Sequence, residues 1–317
     1  GYGDCKECSS IVCARRSRNG YKVNPAFVVR GSIYQDNENL LPSLNFNHAI
    51  LLAVSKNGHK YWLDTTNFVS MARDIFPDIS ARNALVIDHK NSRLEKIPAV
   101  SIERSKIIEK KIISDHDSFL KFDSNYSLIG IKAIGLTGME LTTSKKAIEE
   151  MILKYFSGEI NFFDEKLHIP DLTSRIVRDI DLKFTYKIGK NLLKTNLGSG
   201  FPLTSINAQW MQIFLNYSHE NINSAFLSEP YTYENVIILK DFEADNLSSL
   251  ELDINNKWFS IKRELKKLGK DVEIKETLIL KESFITPFDY NHKDFQEIQN
   301  NIKENILNSA IIGVFAD

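Results

Sequence analysis

The chain has 317 residues, of which 43% are hydrophobic and 26% charged, and its formal net charge is −1. This length suits two or three domains, and the composition is that of an ordinary globular protein. A net charge near zero creates no long-range field that would draw the protein to nucleic acid or to an anionic membrane surface, so we expect neither as a partner. No apolar run approaches the roughly 20 residues of a membrane-spanning helix.

The chain begins at Gly1 without a signal-type segment, so we expect a removed leader or a piece of a longer protein. All three cysteines, Cys5, Cys8 and Cys13, lie in the first segment. An odd number of cysteines this close together is not a disulfide framework. Cys5 and Cys8 form a C-x-x-C, but no second pair follows at ligand spacing, so a metal or redox site is a weak alternative. We predict no cofactor and no metal.

The first segment has the start and stop signals of a helix. Asp4 is a good N-cap and Glu7 follows three positions later, as in a capping box, while Gly20 suits the left-handed position after the last turn. Cys5 would then be the first helical residue. The partial positive charge and unpaired N–H groups of a helix N-terminus lower a thiol pKa, so Cys5 is the candidate nucleophile among the three cysteines.

Short β-type runs follow at 25–29, 47–55, 59–65 and 84–87, with a loop through 36–39. The sequence Asn57-Gly58 between two apolar runs predicts a β-hairpin. We place the end of the first domain near Pro98.

The hairpin has two candidate registers. A two-residue turn would put His48 and Asp64 on opposite faces of the sheet. A three-residue loop, Lys56-Asn57-Gly58, would pair Ser55 with His59 and make His48 and Asp64 diagonal neighbours on one face, about 7 Å apart at the backbone. Gly58 as third loop residue is what the longer loop requires, so we favour that register.

The remaining chain predicts further strands at 106–113, 127–134, 181–188, 236–239 and 272–280, with a solvated charged face at 106–111. A helix is predicted at 144–156 with an apolar stripe, and another from near Asn291 to the C-terminus. The stripe residues are Ala147, Ile148, Met151, Ile152 and Tyr155 in the first helix, and Phe295, Ile298, Ile302 and Ile306 in the second. The predicted fold class is α+β. The predicted domains are a catalytic core at 1–98, a mixed α/β connecting region at 99–174, and a β-sandwich with a C-terminal helix at 175–317.

Five short stretches resemble one family in the same order. The sequence G-Y-G-D-C-K at 1–6, F-N-H-A-I at 46–50, Y-W-L-D-T-T at 61–66, A-L-V-I at 84–87 and I-P at 97–98 resemble the motifs of bacterial transglutaminase-like proteins. The resemblance is close over about residues 1–98 and loose over the β-rich remainder. The chain departs from the family pattern in reading D-T-T rather than D-P-T after Leu63, and in an arginine-rich first helix.

What the resemblance implies is a papain-like core, here without its N-terminal part, with the catalytic triad Cys5, His48 and Asp64. Such a core transfers acyl groups from peptide or protein amides through a Cys5 thioester, either to water or to an amine. The family also implies a β-sandwich domain before the core and a periplasmic or extracellular location. The N–H of Cys5 would supply one oxyanion donor, and we expect the second from residues upstream of Gly1.

Each triad residue also has an ordinary structural explanation. A cysteine at a helix start is commonly a small buried residue, a histidine in a strand is commonly packed, and an aspartate ending a strand is commonly a turn former. The alternative function is an inactive scaffold whose β-domain binds a protein or glycan, for which aromatic residues such as Trp210, Tyr231 and Trp258 could line a surface.

Overall fold

The structure is a computed structural model that describes residues 20–34, 46–67, 69, 71, 74–157, 162–172, 175–189, 194–195, 198–202, 209–218, 220–221, 223–241, 251–307 and 311–313. The predicted first helix with Cys5, Cys8 and Cys13, and the predicted loop at 36–39, lie outside the described residues. The chain divides into two compact units: unit 1 is Gly1–Ser101 with Ser174–Val177, and unit 2 is Ile102–Thr173 with Arg178–Asp317. Unit 2 therefore runs through both predicted regions 99–174 and 175–317.

Unit 1 is built on one antiparallel sheet. Its strands are β1 (Lys22–Val28), β2 (His48–Val54), β3 (Lys60–Leu63), β4 (Asn83–Val86) and β5 (Arg93–Lys96). They lie in the order β3-β2-β1-β4-β5. The β-type runs predicted at 25–29, 47–55, 59–65 and 84–87 are thus strands, and a 3-10 turn at Pro77–Ile79 precedes β4.

The core of unit 1 lies around β2. Residues 49–53 are at most 5% exposed, so this strand is buried on both faces. Ile50 and Leu52 pack with Trp62 of β3 and with Val28 of β1. Trp62 is therefore a core residue, because it pairs with Leu52 and its side chain lies on the same face of the sheet.

The hairpin between β2 and β3 has the three-residue loop. Leu51 pairs with Leu63 and Val54 with Lys60, and the N–H of Ser55 donates to the carbonyl of His59 at 2.9 Å. Gly58 closes the loop with φ of +80°, a left-handed conformation that favours glycine. The predicted register is confirmed.

Unit 2 is built on an eight-stranded sheet. Its strands are β6 (Ser105–Asp115), β7 (Phe119–Gly130), β8 (Phe162–His168), β9 (Ile180–Gly189), β13 (Tyr231–Lys240), β14 (Leu252–Asn255), β15 (Phe259–Leu268) and β16 (Asp271–Leu280). They lie in the order β14-β15-β16-β13-β6-β7-β9-β8, and the pairing is antiparallel except between β6 and β13, which run parallel. Two small sheets join β10 (Lys194–Thr195), β11 (Gly198–Pro202) and β18 (Ile311–Gly313), and β12 (Ala225–Phe226) with β17 (Phe284–Ile285).

This arrangement corrects the predicted β-sandwich. In the described part of unit 2 the long strands belong to one sheet, in place of two facing sheets, and β6 and β7 lie in its middle. Period-two alternation identified the strands, because it depends only on which face of each strand is buried. It carries no information on which strands pair, so the sandwich did not follow from it.

Five α-helices lie among the described residues: α1 (Ile134–Glu140), α2 (Lys145–Ser157), α3 (Gln209–Asn216), α4 (Pro287–Tyr290) and α5 (Lys293–Asn301), the last continuing as a π-helical turn at Ile302–Leu307. Short 3-10 turns lie at Ile102–Arg104 and Ile131–Ala133. None of the described helices is both long and apolar enough to cross a membrane. The predicted helix at 144–156 is α2, but Met151 of its predicted stripe is 49% exposed and Leu153 packs on the sheet instead. The predicted C-terminal stripe holds at Phe295 and Ile302, both fully buried.

The aromatic residues proposed as a ligand surface are core residues. Trp210 and Phe214 of α3 pack against Trp258, Phe259 and Phe295, and Trp210 is 2% and Trp258 3% exposed. Tyr231 is 8% exposed and its hydroxyl accepts a hydrogen bond from Trp210. The surface expected for the scaffold alternative is therefore absent at these positions.

A row of charged and polar residues crosses the buried face of the large sheet. Arg263, Glu276, Asn235 and Glu109 stand side by side on β15, β16, β13 and β6, and each is at most 3% exposed. Arg263 bonds Glu276 at 2.7 Å and Lys111 bonds Glu109 at 2.9 Å. The predicted solvated face at 106–111 is thus wrong for Glu109 and Lys111, because each charge has an opposite partner on the same buried face.

The strand predicted over 127–134 ends at Gly130, and the chain turns into a helical segment there. Gly130 has φ of +58° and ψ of −116°, and a Cβ built on it would lie 2.1 Å from the carbonyl oxygen of Arg104. Of the twenty amino acids, only glycine accepts both this backbone conformation and this close approach. Apolar residues lie on both sides of Gly130, so the sequence did not show that the segment after it is helical and not a continuation of the strand.

Replacing Gly130 with alanine should lower the free energy of unfolding of unit 2 by about 2 kcal/mol or more, because backbone strain adds to the clash with Arg104. Urea unfolding followed by the fluorescence of Trp210 and Trp258 would measure it. Gly138→Ala in α1 is the matched control. A Cβ there meets nothing within 4 Å, so stability should be unchanged or rise by up to about 1 kcal/mol. If both substitutions changed the free energy of unfolding equally, position 130 would not require glycine.

Candidate active site

The hairpin brings His48 and Asp64 together. His48 opens β2, and Asp64 follows the last residue of β3. Since Leu51 pairs with Leu63, the next pair along the ladder is Ile50 with Asp64, and His48 lies two residues beyond Ile50 on the same face. Their side chains meet, with His48 Nε2 2.8 Å from Asp64 Oδ2.

The pair is removed from solvent. The His48 side chain is 7% exposed and the Asp64 carboxylate is 0% exposed. Among the described histidines His48 alone is buried, whereas His59, His89, His116, His168 and His292 are exposed. A buried histidine bonded to a buried carboxylate has a fixed ring orientation, which an exposed surface pair does not have.

The second oxygen of Asp64 is held by Thr66. Oδ1 accepts from the Thr66 N–H at 3.0 Å and from its hydroxyl at 2.8 Å. Burial raises the pKa of the Asp64 carboxyl, but the hydrogen bonds from His48 and Thr66 together outweigh burial and lower that pKa below its ordinary value. Asp64 is therefore an anion at neutral pH.

This charge state assigns the proton on the imidazole. An ionised carboxylate has only acceptors, so the contact at Asp64 Oδ2 requires a proton on His48 Nε2. In a neutral His48 ring, Nδ1 then carries the lone pair and is the nitrogen that can take up a proton. In nucleophilic sites, a carboxylate that fixes the histidine tautomer orients the imidazole, and the imidazole carries the proton.

Arg30 lies beside the pair, although no sequence motif pointed to it. Its Nη1 is 3.5 Å from Asp64 Oδ2, the oxygen that His48 contacts, and it donates to the Thr66 hydroxyl at 3.2 Å. Asn47 ties the segment after β1 to the start of β2, because its amide exchanges two hydrogen bonds with the Arg30 backbone, at 2.6 and 3.0 Å. The strand ladder ends at Val28 paired with His48, so Asn47 extends that pairing with its side chain.

The far side of Arg30 is anchored by the 3-10 turn at Pro77–Ile79. Arg30 Nε contacts Asp78 Oδ2 at 2.5 Å, and the Gly31 N–H donates to the Asp78 carbonyl at 3.1 Å. Arg82 donates to the carbonyls of Gly31 and Ile33, so the backbone after Arg30 is fixed from two directions. No sequence pattern marked these contacts, since they join positions about 50 residues apart.

The third predicted site residue, Cys5, lies outside the described residues, so the structure brings together His48 and Asp64 of the predicted three. Within the part of the chain that the structure describes, no group of three or more His, Cys, Asp or Glu residues could hold a metal ion.

Comparisons with known proteins give little beyond this geometry. No protein-family model matches the chain, and no curated sequence matches it. Among solved structures the chain is similar to the crystal structure of a putative protease from Parabacteroides distasonis ATCC 8503, with a TM-score of 0.44 and 12% identity. The match covers 98% of this chain and 43% of the other protein, so this chain spans less than half of the other protein's length.

The buried Asp64 carboxylate should make unit 1 sensitive to acid. The pKa of Asp64 is lowered in the folded state, so its carboxylate stabilises the fold fully above the ordinary aspartate pKa of about 4. This stabilisation is lost as the pH falls through the lower pKa of the folded state. Asp64→Asn should therefore cost about 1–3 kcal/mol at neutral pH, and the difference from the unaltered protein should shrink below about pH 4. The indole resonance of Trp62, the tryptophan of unit 1, would follow unfolding.

Asp117→Asn, at an exposed aspartate of unit 2, is the control and should leave the pH dependence unchanged. An Asp64→Asn penalty that is the same at pH 3 and pH 7 would mean that Asp64 is not held as an anion.

Proposed function

We propose that this protein is a transglutaminase-like thiol enzyme that transfers the acyl group of a peptide or protein amide through a thioester on Cys5. The observation that carries the proposal is the buried His48–Asp64 pair, with Nε2 on the carboxylate and Nδ1 left to serve a nucleophile. The motif resemblance at 1–6, 46–50 and 61–66 adds Cys5 as that nucleophile. Its expected place at a helix N-terminus favours the thiolate.

In the first half-reaction the Cys5 thiolate attacks the carbonyl carbon of the amide and forms an S–C bond. The tetrahedral intermediate carries its negative charge on the former carbonyl oxygen. His48, protonated on Nδ1 in the ion pair with the thiolate, gives that proton to the amide nitrogen as the C–N bond breaks. The amine leaves neutral and the acyl group remains on sulfur as a thioester.

In the second half-reaction His48 Nδ1 takes a proton from the incoming nucleophile, which attacks the thioester carbon. The C–S bond then breaks and the electron pair returns to sulfur, restoring the thiolate and imidazolium. Water as nucleophile gives hydrolysis, and an amine gives a new amide. The triad serves both, and we favour hydrolysis because water is always present.

Asp64 acts through His48 in both half-reactions. It keeps the proton on Nε2, so Nδ1 faces the thiol, and its anionic charge stabilises the imidazolium. Burial of the pair in a low-dielectric environment strengthens this interaction compared with an exposed pair. Acyl transfer at a periplasmic or extracellular location is part of the proposal, following the same resemblance.

The proposal predicts that iodoacetamide alkylates Cys5 faster than Cys8 or Cys13 near neutral pH, as located by peptide mass spectrometry of the folded protein. His48→Ala should reduce the Cys5 rate by about tenfold or more, because the thiolate loses its imidazolium partner. His59→Ala, which removes an exposed histidine from the same hairpin, is the matched control and should leave the rate unchanged. Equal alkylation of all three cysteines, or no effect of His48→Ala, would overturn the proposed function.

A further inference from the structure

The Arg30 guanidinium connects four side chains around the carboxylate of the proposed site. Nη1 lies 3.5 Å from Asp64 Oδ2 and donates to the Thr66 hydroxyl at 3.2 Å. Nη2 donates to Asn67 Oδ1 at 2.8 Å, and Nε contacts Asp78 Oδ2 at 2.5 Å. Arg30 therefore touches Asp64 directly and also through Thr66, whose hydroxyl donates to Asp64 Oδ1.

These contacts engage all three nitrogens of the guanidinium. Each of its three nitrogens already has a side-chain oxygen as partner, although the side chain is 32% exposed. A guanidinium offered to a substrate carboxylate would present a free pair of parallel donors. Arg30 instead directs Nη1 to Asp64 and to Thr66, which itself bonds Asp64, and its other two nitrogens to Asn67 and Asp78, which is the pattern of a residue that orients another.

The charges of the cluster support the same conclusion. Asp64 and Asp78 are two carboxylates on either side of one cation, and Asp78 bonds it more closely than Asp64 does. The guanidinium therefore lies closer to Asp78 than to Asp64. Oδ2 of Asp64 keeps its short bond of 2.8 Å to His48, while Arg30 stays at 3.5 Å. The guanidinium fixes the carboxylate without replacing the imidazole as its partner.

We propose that Arg30 is a positioning residue of the proposed thiol site: through the Asp64 and Thr66 contacts it holds the carboxylate in the orientation that sets the His48 tautomer. This inference rests on the proposed function for its effect on Cys5, but its effect on the His48 ring can be measured without any reaction. The planar fork carries the role, so a lysine, which brings one charge without the fork, should not replace it.

The experiment compares Arg30→Gln and Arg30→Lys with the unaltered protein. Arg93→Gln is the matched control, since Arg93 is also partly exposed, also paired with a carboxylate, and lies on β5 away from the site. The first readout is the pair of ring 15N chemical shifts of His48 at neutral pH. Both Arg30 variants should move the two shifts towards each other as the tautomers mix, and Arg93→Gln should not.

The second readout is the alkylation rate of Cys5, measured in 0.5 M salt with two reagents. Iodoacetamide is neutral, whereas iodoacetate carries a carboxylate. Both Arg30 variants should lower the two rates together by roughly 10- to 100-fold, as expected for a misplaced catalytic group. A loss confined to iodoacetate in Arg30→Gln, with recovery in Arg30→Lys, would instead make Arg30 a recognition site for carboxylates and overturn the proposal.

The outcomes separate the two proposals. If His48→Ala leaves the alkylation rate of Cys5 unchanged, the proposed function fails. The 15N shifts of the His48 ring then decide alone whether Arg30 holds the pair. If Cys5 depends on His48 but both Arg30 variants keep the ring shifts and the rates, the role of Arg30 is wrong. If Arg30→Gln does not fold, Arg30→Lys decides by the same readouts, and a lysine variant with unaltered shifts and rates overturns the proposal.

Discussion

The loop that joins β2 to β3 has three residues, and that number decides the face of the sheet on which His48 lies. With Ser55 bonded to His59, His48 and Asp64 lie on one face and bond at 2.8 Å. A loop shorter by one residue would shift the register and turn His48 to the opposite face, because side chains alternate along a strand. The left-handed conformation of Gly58 therefore supports the geometry of the whole candidate site.

The rest of unit 1 stabilises that geometry from outside the hairpin. Burial of β2 on both faces leaves the strand no room to slide, and Trp62 anchors β3 against the same core. Asn47 ties the segment after β1 to the start of β2 through hydrogen bonds to the Arg30 backbone, and Arg30 reaches the pair through its ion-pair contact with Asp64. The site is thus a buried charge with partners at the start of β2 and in the segments after β1 and β3, and the 3-10 turn anchors the arginine among them.

The local features could be predicted from the sequence, whereas the long-range ones could not. Asn57-Gly58 between apolar runs indicated the hairpin, and the glycine at the third loop position indicated its register, because both depend on neighbouring residues. Arg30 and Asp78 could not be predicted, because both lie far from Asp64 in the chain and nothing near either residue reveals that they bond each other beside the pair. The strand pairing of unit 2 could not be predicted for the same reason: alternation marked β6 and β13 as strands but not as parallel neighbours.

Glu109 and Lys111 suggested a solvated face on β6, but both are buried. Their mutual ion pair, with the Tyr233 hydroxyl donating to Glu109, offsets the cost of burying them.

If His48 and Asp64 are two members of a catalytic triad, the third must lie against Nδ1 of the imidazole. A crystal structure of the protein would give the distance between Cys5 Sγ and the His48 ring nitrogens. We expect Sγ about 3–4.5 Å from Nδ1, with Nε2 remaining on Asp64. A Cys5 sulfur out of reach of the ring, or a different side chain in contact with Nδ1, would contradict the triad.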